Sequence, residues 1–434
     1  MCSAYIQIYY NKLYIIYLMM ENAQAPSIFI TDENTNKVFE VFENSIESGK
    51  KVTLAFSGGK DSTTLALLFY EWLKNKPNLS LEVTLLHNDT SSEIDLMEHW
   101  AREFMVKYKE RIEDITGNRV KVYLDIKTPK VIDTFYWRML IRGYPAPSFN
   151  FRWCVHLLKE KPAKLDSIEG NLFTGLREAE SSERKNRMRK KYGNSCGANP
   201  GGCMAYYYSS EGKGNKIAPF RDWNDGDVWS FLSRYRNKGD FNISPLFMLY
   251  PNPKVRYGCW HCTLASVQWG LHALDGGLIY FEAVRVLYRK FSDLPYLRKK
   301  KNTGYSNLGS LNATGRAIMF RIIAIAEKLS GTNLYGLETS VFEDKTIRDV
   351  LFRLPSKEAT KIIRLADPKI SSKRYVPIDR VRNTSIDATR IERAIRAVRV
   401  KYSNEKSYLM LKERGLDPFD VILNELLKAA KCHK

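Results

Sequence analysis

The chain has 434 residues, of which 44% are hydrophobic and 27% charged. This composition excludes an intrinsically disordered or collagen-like protein and leaves room for two or three domains. The 68 Lys and Arg residues exceed the 48 Asp and Glu residues, so the net charge is +20, which favours polyanionic partners such as nucleotides, tRNA or DNA. The seven cysteines are odd in number and unevenly spaced, which argues against a secreted disulfide framework and for a cytoplasmic location.

The first 20 residues are apolar and rich in tyrosine, but polar residues such as Lys12 interrupt them. A membrane-spanning helix needs about 20 predominantly apolar residues, so we expect no membrane segment here. Because Met19 and Met20 end this stretch, we interpret residues 1–20 as an extension without a structural role.

Strands and helices alternate over residues 35–245, which we predict to be one α/β domain. Short apolar runs predict strands, and apolar residues at helical spacing predict helices. In chain order the prediction is a helix at 36–50, strand Val52–Phe56, helix Thr63–Lys74, strand Glu82–His87, helix Glu93–Ile115, strand Val120–Ile126, helices Ile132–Arg142 and His156–Ile168, and strands Leu172–Gly175 and Lys216–Phe220. The alternation predicts a doubly wound parallel five-stranded sheet.

The pattern changes after Pro245. Residues 246–345 begin with prolines and a cysteine pair and then become helical, and residues 346–434 form a basic helical region. The helices are predicted at 280–291, 312–329, 343–352, 388–402 and 418–431. We therefore predict that a cysteine-bearing junction and a helical C-terminal region follow the α/β domain.

A diglycine loop, Ser57-Gly58-Gly59-Lys60-Asp61-Ser62, lies between the first predicted strand and a helix. Glycines let the backbone approach an anion closely, and the helix offers unpaired N–H groups and the positive end of its dipole. Lys60 adds a cation, and Asp61 is the candidate for holding Mg²⁺ or organising the loop. The spacing is neither a Walker loop nor a dinucleotide fingerprint. These residues indicate a phosphate site, and the alternative is an ordinary turn before a helix.

The loop resembles the PP-loop of N-type ATP pyrophosphatases and of the phosphoadenosine phosphosulfate (PAPS) reductase superfamily, which has an adenine nucleotide alpha-hydrolase-like fold. Four further segments extend the resemblance over about residues 50–235. They are His87-Asn88-Asp89-Thr90-Ser91-Ser92-Glu93, Phe151-Arg152-Trp153-Cys154 with Lys159, Gly175-Leu176-Arg177-Glu178-Ala179-Glu180-Ser181 with Arg184, and Pro219-Phe220-Arg221-Asp222-Trp223 with Asp227-Val228-Trp229. Five segments in one order are more specific than any one of them alone.

The resemblance implies that the substrate is ATP, accompanied by Mg²⁺, and that adenylation of an acceptor releases pyrophosphate. Such a reaction needs charge neutralisation on the leaving group and alignment of the acceptor. The implied catalytic residues are Lys60, Asp61, Arg177 and Arg184, and the implied nucleotide contacts are Ser57, Gly58, Gly59, Lys60, Asp61, Ser62, Asp89, Thr90, Arg152, Lys159 and Gly175. Asp89 also suits a helix cap, and the segment of Arg184 also suits a solvated helix face.

Two cysteine pairs form a candidate metal site. Cys196 and Cys203 lie in a glycine-rich stretch, and Cys259 and Cys262 form a C-x2-C pair. Four thiolates suit Zn²⁺ or a [4Fe–4S] cluster, and the alternative is that these cysteines are incidental. Cys154 is a fifth candidate thiol, which would line the active site.

The segment Arg256-Tyr257-Gly258-Cys259-Trp260-His261-Cys262-Thr263 resembles the DndC-like DNA phosphorothioation sulfurtransferases. This resemblance favours a [4Fe–4S] cluster over zinc. It implies sulfur incorporation into nucleic acid, either DNA or tRNA, with a cysteine desulfurase as a sulfur donor. The basic run from Arg184 to Lys191 is a candidate surface for the polyanion.

Two alternative functions follow from the same residues. The first is PAPS reduction in sulfate assimilation, but the tail Lys431-Cys432-His433-Lys434 lacks the Glu-Cys-Gly-x-His pattern of those reductases. The second is a nucleic-acid-binding partner protein that keeps the loop and turns over slowly. The sequence names neither the acceptor nor the oligomeric state.

Overall fold

The structure is a computed structural model that describes residues 32–163, 168–180, 186, 206–208, 215–252, 255–273, 277–300, 308–370, 375–383 and 388–431. Several predictions therefore fall outside the described residues. They concern the segment 1–20, Arg184 and most of the basic run after it, and the cysteines Cys196, Cys203 and Cys432.

The first half of the chain alternates strands with helices. The elements are α1 (Glu33–Ser45), β1 (Lys51–Phe56), α2 (Lys60–Lys74), β2 (Leu81–Asn88), α3 (Asp95–Ile115), β3 (Val120–Lys127), α4 (Trp153–Val155), α5 (Lys161–Ala163), β4 (Asn171–Phe173), β5 (Tyr206–Tyr208) and β6 (Asn215–Ile217). Strand β1 is buried along most of its length and α2 is buried on nearly all sides, because helices cover both faces of a parallel sheet.

The strands form one sheet in the order β3-β2-β1-β4-β6-β5. Each neighbouring pair in the run β3-β2-β1-β4-β6 is parallel. Leu54 of β1 lies opposite Leu85 of β2 on one side and opposite Phe173 of β4 on the other. The predicted five-stranded parallel α/β sheet is confirmed. A sixth strand, β5, which the sequence did not predict, pairs antiparallel with β6 at the edge.

The chain order reverses at β1. From β1 the chain moves outward through β2 and β3, and it then returns to the other side of β1 as β4. In open α/β sheets, ligands bind at the carboxyl ends of the strands where the order reverses. The segments that follow β1 and β4 therefore meet at the natural ligand position of this fold.

Two predicted helices were wrong in detail. Over Ile132–Arg142 the structure has a 3₁₀ turn, Val131–Asp133, and a π-helix, Trp137–Ile141, because Thr134 takes an extended backbone conformation after the first turn. Over His156–Ile168 it has a π-helix, His156–Glu160, between α4 and α5.

The second half of the chain is mainly helical. It contains α6 (Asp225–Lys238), α7 (Ser244–Leu249), α8 (Trp269–Ala273), α9 (Ile279–Ser292), β7 (Arg298–Lys300), β8 (Leu308–Leu311), α10 (Ala313–Ser330), β9 (Ser340–Phe342), β10 (Lys345–Thr346), α11 (Ser356–Ala366), α12 (Ile378–Arg382), α13 (Ala388–Tyr402), α14 (Lys406–Glu413) and α15 (Pro418–Lys431). None of the helices in the described part of the chain has the length and apolar character that crossing a membrane requires.

The predicted helix at 343–352 was wrong at its start. Glu343 and Asp344 have positive φ angles of 43° and 62°, and they form the tight turn of the β9–β10 hairpin. Primed hairpin turns need this left-handed conformation at both central residues. The helical part begins only afterwards and includes the π-helix Asp349–Arg353.

Buried polar contacts join the helical region to the α/β domain. Asp367, which is fully buried, accepts hydrogen bonds from Trp137 Nε1 at 3.1 Å and from Arg142 Nε at 2.7 Å, and it also pairs with Arg142 Nη2. The backbone N–H of Leu311 donates to Gly143 O at 2.7 Å. The helical region is therefore packed against the segment between β3 and β4.

We expect Asp367→Ala to lower the free energy of unfolding by about 3 kcal/mol, because Arg142 then keeps a largely buried charge without its partner. Urea denaturation measures this difference. The matched control is Asp379→Ala, which removes an exposed carboxylate. Equal stability of the two variants would show that the Asp367 contacts contribute nothing measurable.

Candidate nucleotide site

The diglycine loop turns tightly against α3. Gly58 has a φ of +72°, and a Cβ atom there would lie 2.8 Å from the Cβ of Ala101. Only glycine meets both conditions without strain. Trp100 Nε1 donates to Gly58 O at 2.9 Å, so α3 also holds the loop by a hydrogen bond. The sequence prediction that the glycines serve a close backbone approach is consistent with this packing.

The loop leads directly into α2, which begins at Lys60 with Gly59 as its N-cap and no capping side chain. The hydroxyl of Ser62 lies 3.1 Å from both the N and the Oγ of Ser57, so the two serines close the loop across its mouth. An uncapped helix start presents backbone N–H groups and a positive dipole end to an anion.

Four charged side chains form one cluster at the mouth of the loop. Lys60 Nζ lies 3.0 Å from Asp61 Oδ1 and 2.8 Å from Asp225 Oδ1. Arg177 reaches the same two oxygens, with Nε 2.8 Å from Asp61 and Nη2 2.6 Å from Asp225. The side chains of Lys60 and Arg177 are only 3% and 0% exposed. Two buried cations are thus balanced by two carboxylates that are more open to solvent.

Each member of the cluster comes from the carboxyl end of a strand or the helix that follows it. Lys60 and Asp61 follow β1, Arg177 follows β4, and Asp225 begins α6 after β6. Gly175 permits this assembly, because a Cβ at that position would lie 2.8 Å from Asp61 O. The switch point of the sheet therefore brings distant parts of the sequence to one place.

Asp225 is firmly ionised. Burial opposes its charge, but hydrogen bonds from Lys60 and Arg177 outweigh burial and lower its pKa to about 2. Arg256 adds a third cation, with Nη2 3.3 Å from Asp225 Oδ2. The five side chains together carry one net positive charge, which suits an anionic ligand.

Asp89 and Thr90 lie at the end of β2 in a different network. Asp89 is buried, and its carboxylate accepts hydrogen bonds from Arg102 Nη2 and Tyr335 OH, both at 2.8 Å, and from the backbone N–H of Ser91. It does not cap α3, whose N-cap is Ile94. The structure thus gives Asp89 a tethering role to the helical region, and its nucleotide contact stays a prediction.

Thr90 belongs to the surroundings of the cysteine pair. Its hydroxyl donates to Glu93 Oε1 at 2.8 Å and lies 3.3 Å from the Sγ of Cys259. The charge of Cys259 in its thiolate form, together with that of Glu93, outweighs burial and raises the pKa of Lys159. Lys159 is therefore within electrostatic range of the thiols. Arg152, in contrast, is exposed and lies over the ring of Phe149.

The thiols of Cys154, Cys259 and Cys262 lie near one another. Burial, followed by repulsion from Cys262, raises the pKa of Cys154. Burial, followed by the charge of Glu93, raises the pKa of Cys259 to about 12. As free thiols, Cys154 and Cys259 are therefore protonated at neutral pH, and they become thiolates only with a cation or metal as a partner.

The described residues alone do not form a metal site. Among them, no group of three Cys, His, Asp or Glu side chains is close enough to hold one ion. A four-thiolate cluster would need further ligands, and the predicted ones, Cys196 and Cys203, lie outside the described residues. The four-thiolate cluster therefore stays a prediction.

Helix α9 fixes the backbone of the cysteine turn. Arg285, paired with buried Glu282, donates from Nη1 to the carbonyl oxygens of Cys262 at 2.9 Å and Ala265 at 2.6 Å. Gln268 Nε2 donates to Cys259 O at 3.1 Å. The carbonyl groups of the turn thus accept hydrogen bonds from Arg285 of α9 and from Gln268, which precedes α8.

The sequence did not predict two residues of the site, Asp225 and Tyr250, and Glu93 had no role of its own within the segment His87–Glu93. In the segment of Asp225 the family resemblance covers Asp222, which is exposed and pairs with Arg221, and Asp227, which forms the capping box of α6 with Asn224. The available signal was position, because the first residue of a helix after a strand end faces the ligand crevice. Tyr250 carried no comparable signal.

An α/β sheet with a diglycine anion loop at its switch point defines the class of nucleotide-utilising PP-loop proteins. Residues 51–265 match the family model of the phosphoadenosine phosphosulfate reductase domain. The matched range runs from β1 to the cysteine turn and includes the whole charged cluster. The chain therefore belongs to the PP-loop and PAPS reductase superfamily.

Two relatives match parts of the chain. An uncharacterized protein of Methanocaldococcus jannaschii is 24% identical over 240 residues, which are 54% of this chain and 40% of that protein. A tRNA(Ile)-lysidine synthase of Shewanella oneidensis is 32% identical over 85 residues, which are 18% of each protein. The chain thus matches less than half of the length of either relative.

His87, next to this site on β2, makes stability depend on pH. Burial opposes its protonation, but the hydrogen bond to Glu98 at 3.0 Å outweighs burial and raises its pKa above 6.5. Its contribution to stability is therefore complete below pH 6.5 and is lost as the pH rises through the higher folded-state pKa. In urea denaturation, we expect the free energy of unfolding of His87→Gln to fall less than that of wild type as the pH rises from about 6 to about 9.

The control for this measurement is His156→Gln, because His156 is an exposed histidine that also lies beside a glutamate. That variant should follow the wild-type pH dependence. If His87→Gln followed it equally closely, the buried pair would have no part in the pH response.

Proposed function

We propose that this protein is an ATP pyrophosphatase that adenylates an acceptor. The observation that carries the proposal is the charged cluster, in which two almost fully buried cations, Lys60 and Arg177, lie at an uncapped helix start. Buried cations are costly unless they are paired. Here the pairing carboxylates are partly exposed, so phosphate oxygens can replace them.

In the proposed reaction a nucleophile of the acceptor attacks the α-phosphorus of ATP. The bond to the oxygen that bridges the α- and β-phosphates breaks, and pyrophosphate leaves with the bonding electrons. Lys60, Arg177 and the amides of the loop neutralise the charge that develops on the leaving group. Ser57 and Ser62 supply hydroxyl donors at the same mouth.

Mg²⁺ fits this site as a companion of the nucleotide. It is usually bound in proteins by one or two carboxylates together with substrate phosphates. Asp61 and Asp225 offer such carboxylates, because both face the same two cations. When bound, the ion would neutralise phosphate charge, while Lys60 and Arg177 would be released from the carboxylates to the phosphates.

We further propose that the activated acceptor receives sulfur, as the DndC-like segment around Cys259 suggests. The acceptor class is nucleic acid, either DNA or tRNA, because the net charge of +20 favours binding of a phosphate backbone. A cysteine desulfurase would supply the sulfur, and reduced thiols fit a cytoplasmic location. Lys159 and the thiols of Cys154, Cys259 and Cys262 support this proposal by their grouping.

We expect Lys60→Ala to lower the rate of pyrophosphate release from ATP by roughly a hundredfold, because one donor to the leaving group is lost. The fold should persist, since Arg177 still pairs with both carboxylates. A coupled pyrophosphate assay with DNA and with tRNA as acceptors measures the rate, and thermal melting checks the fold. Lys37→Ala, which removes an exposed lysine on α1, is the matched control. Equal rates in both variants would remove Lys60 from the mechanism.

PAPS reduction is the second candidate, and the matching family model favours it. The two functions differ in their products. Thiol-dependent sulfite release from PAPS, without pyrophosphate release from ATP, would establish the reductase. Salt-sensitive binding of DNA or RNA without either product would establish a binding partner protein.

We expect anaerobically purified protein to contain iron and acid-labile sulfide bound through Cys259 and Cys262. Cys259→Ser should lose this metal, because a hydroxyl is a poor ligand for a soft metal site, whereas Cys432→Ser should retain it. Elemental analysis of iron, zinc and sulfide gives the answer. Zinc without sulfide would show that the site holds zinc instead of an iron–sulfur cluster, and the absence of both metals would refute a metal centre.

A further inference from the structure

Three residues that are close in the sequence, Tyr250, Arg256 and Cys259, make contacts at the diglycine loop, at the charged cluster and at the cysteine pair. At one end, the hydroxyl of Tyr250 lies 3.4 Å from the backbone N of Lys60. In the middle, Arg256 reaches Asp225 of the charged cluster. At the other end, Cys259 lies beside Thr90. One short segment therefore contacts both halves of the site.

Tyr250 is positioned as a donor to an anion. Its ring is held by Trp229 and Tyr257, with centroids 5.5 and 5.0 Å away. Burial raises the pKa of its hydroxyl well above the usual range, so the group is neutral and carries its proton. The hydroxyl accepts the N–H of Lys60, and within the described residues no protein atom accepts its own proton. That proton can therefore be donated to a phosphate oxygen placed at the loop.

Arg256 is the surplus cation of the site. Lys60 and Arg177 are balanced by Asp61 and Asp225, so Arg256 supplies the net positive charge. Its side chain is 50% exposed, and its contact with Asp225, at 3.3 Å, is longer than those of Lys60 and Arg177. A weakly held, half-exposed guanidinium can turn toward a polyphosphate, which it binds with two parallel hydrogen bonds.

We propose that Tyr250 and Arg256 bind the phosphate chain of the nucleotide, so that the cysteine-bearing segment supplies part of the phosphate site. This inference rests on the proposed function, because it assumes that a nucleotide occupies the loop. Tyr250 contacts a phosphate oxygen next to the amide of Lys60. Arg256 leaves Asp225 and neutralises charge that the two buried cations leave uncompensated.

The test compares single variants of the full chain by calorimetric binding of ATP, pyrophosphate and adenosine. Tyr250→Phe should weaken ATP and pyrophosphate binding by about tenfold and leave adenosine binding unchanged, because only one hydrogen bond to an anion is lost. The matched control is Tyr402→Phe, whose hydroxyl donates to Asp420 in the C-terminal helical region at 2.9 Å instead. It should bind all three ligands like wild type.

Arg256→Gln should weaken ATP and pyrophosphate binding and also reduce the dependence of ATP affinity on salt, since one cation–anion contact is lost. A residue with only a structural role would not change the salt dependence. The control is Arg396→Gln, which removes an exposed arginine on α13. Its salt dependence should equal that of wild type.

Two results would overturn the inference, and they are distinguishable. If wild type bound ATP, and Lys60→Ala weakened binding, while Tyr250→Phe and Arg256→Gln matched their controls, the inference alone would be wrong. If wild type bound neither ATP nor pyrophosphate, the proposed function would fail and the inference would fail with it.

Discussion

The sharing of two carboxylates between Lys60 and Arg177 is the interaction on which the site depends. Each cation contacts both Asp61 and Asp225, so none of the four side chains has an exclusive partner. The arrangement requires the carboxyl ends of β1 and β4 and the start of α6 to meet at one place, and the reversal of strand order at β1 provides this. The strand order and the close contacts at Gly58 and Gly175 therefore place the four side chains together.

This sharing explains how the protein keeps two cations ready without a ligand. An unpaired buried cation loses most of its hydration and would be driven toward its neutral form or toward solvent. The carboxylates pair with Lys60 and Arg177 and orient them, yet Asp225 is 41% exposed on its side chain and can accept another partner. On ligand binding, the two cations would then exchange carboxylate partners for ligand oxygens, and no new charged site would have to form in the interior.

The sequence predicted the parts of this site that depend on local pattern. A buried strand, two glycines and a helix at fixed spacing specify the anion loop, because backbone geometry alone creates it. The sequence also predicted the parallel five-stranded sheet correctly, since the apolar runs of its strands alternate with helices. Both predictions rest on short stretches of chain.

The parts that the sequence did not predict depend on tertiary contacts. Asp225 is distinguished from Asp222 and Asp227 only by which residue begins α6 at the crevice. The buried carboxylate of Asp89 bonds to Tyr335, which is 246 residues away, and its nucleotide contact stays a prediction. The electrostatic influence of Cys259 on Lys159 likewise joins positions that are distant in the sequence. No local spacing in the chain encodes these neighbours.

The hydrogen bonds from Arg285 and Gln268 have a consequence for how the cysteine turn is assembled. Small metal-binding domains often fold only when the ion arrives, because nothing else orders their ligands. Here Arg285 of α9 and Gln268, which precedes α8, order the backbone of the turn through protein contacts alone. We therefore expect the loading of an ion onto these thiols to be a step separate from folding, and its removal by a chelator to leave the polypeptide in its native shape.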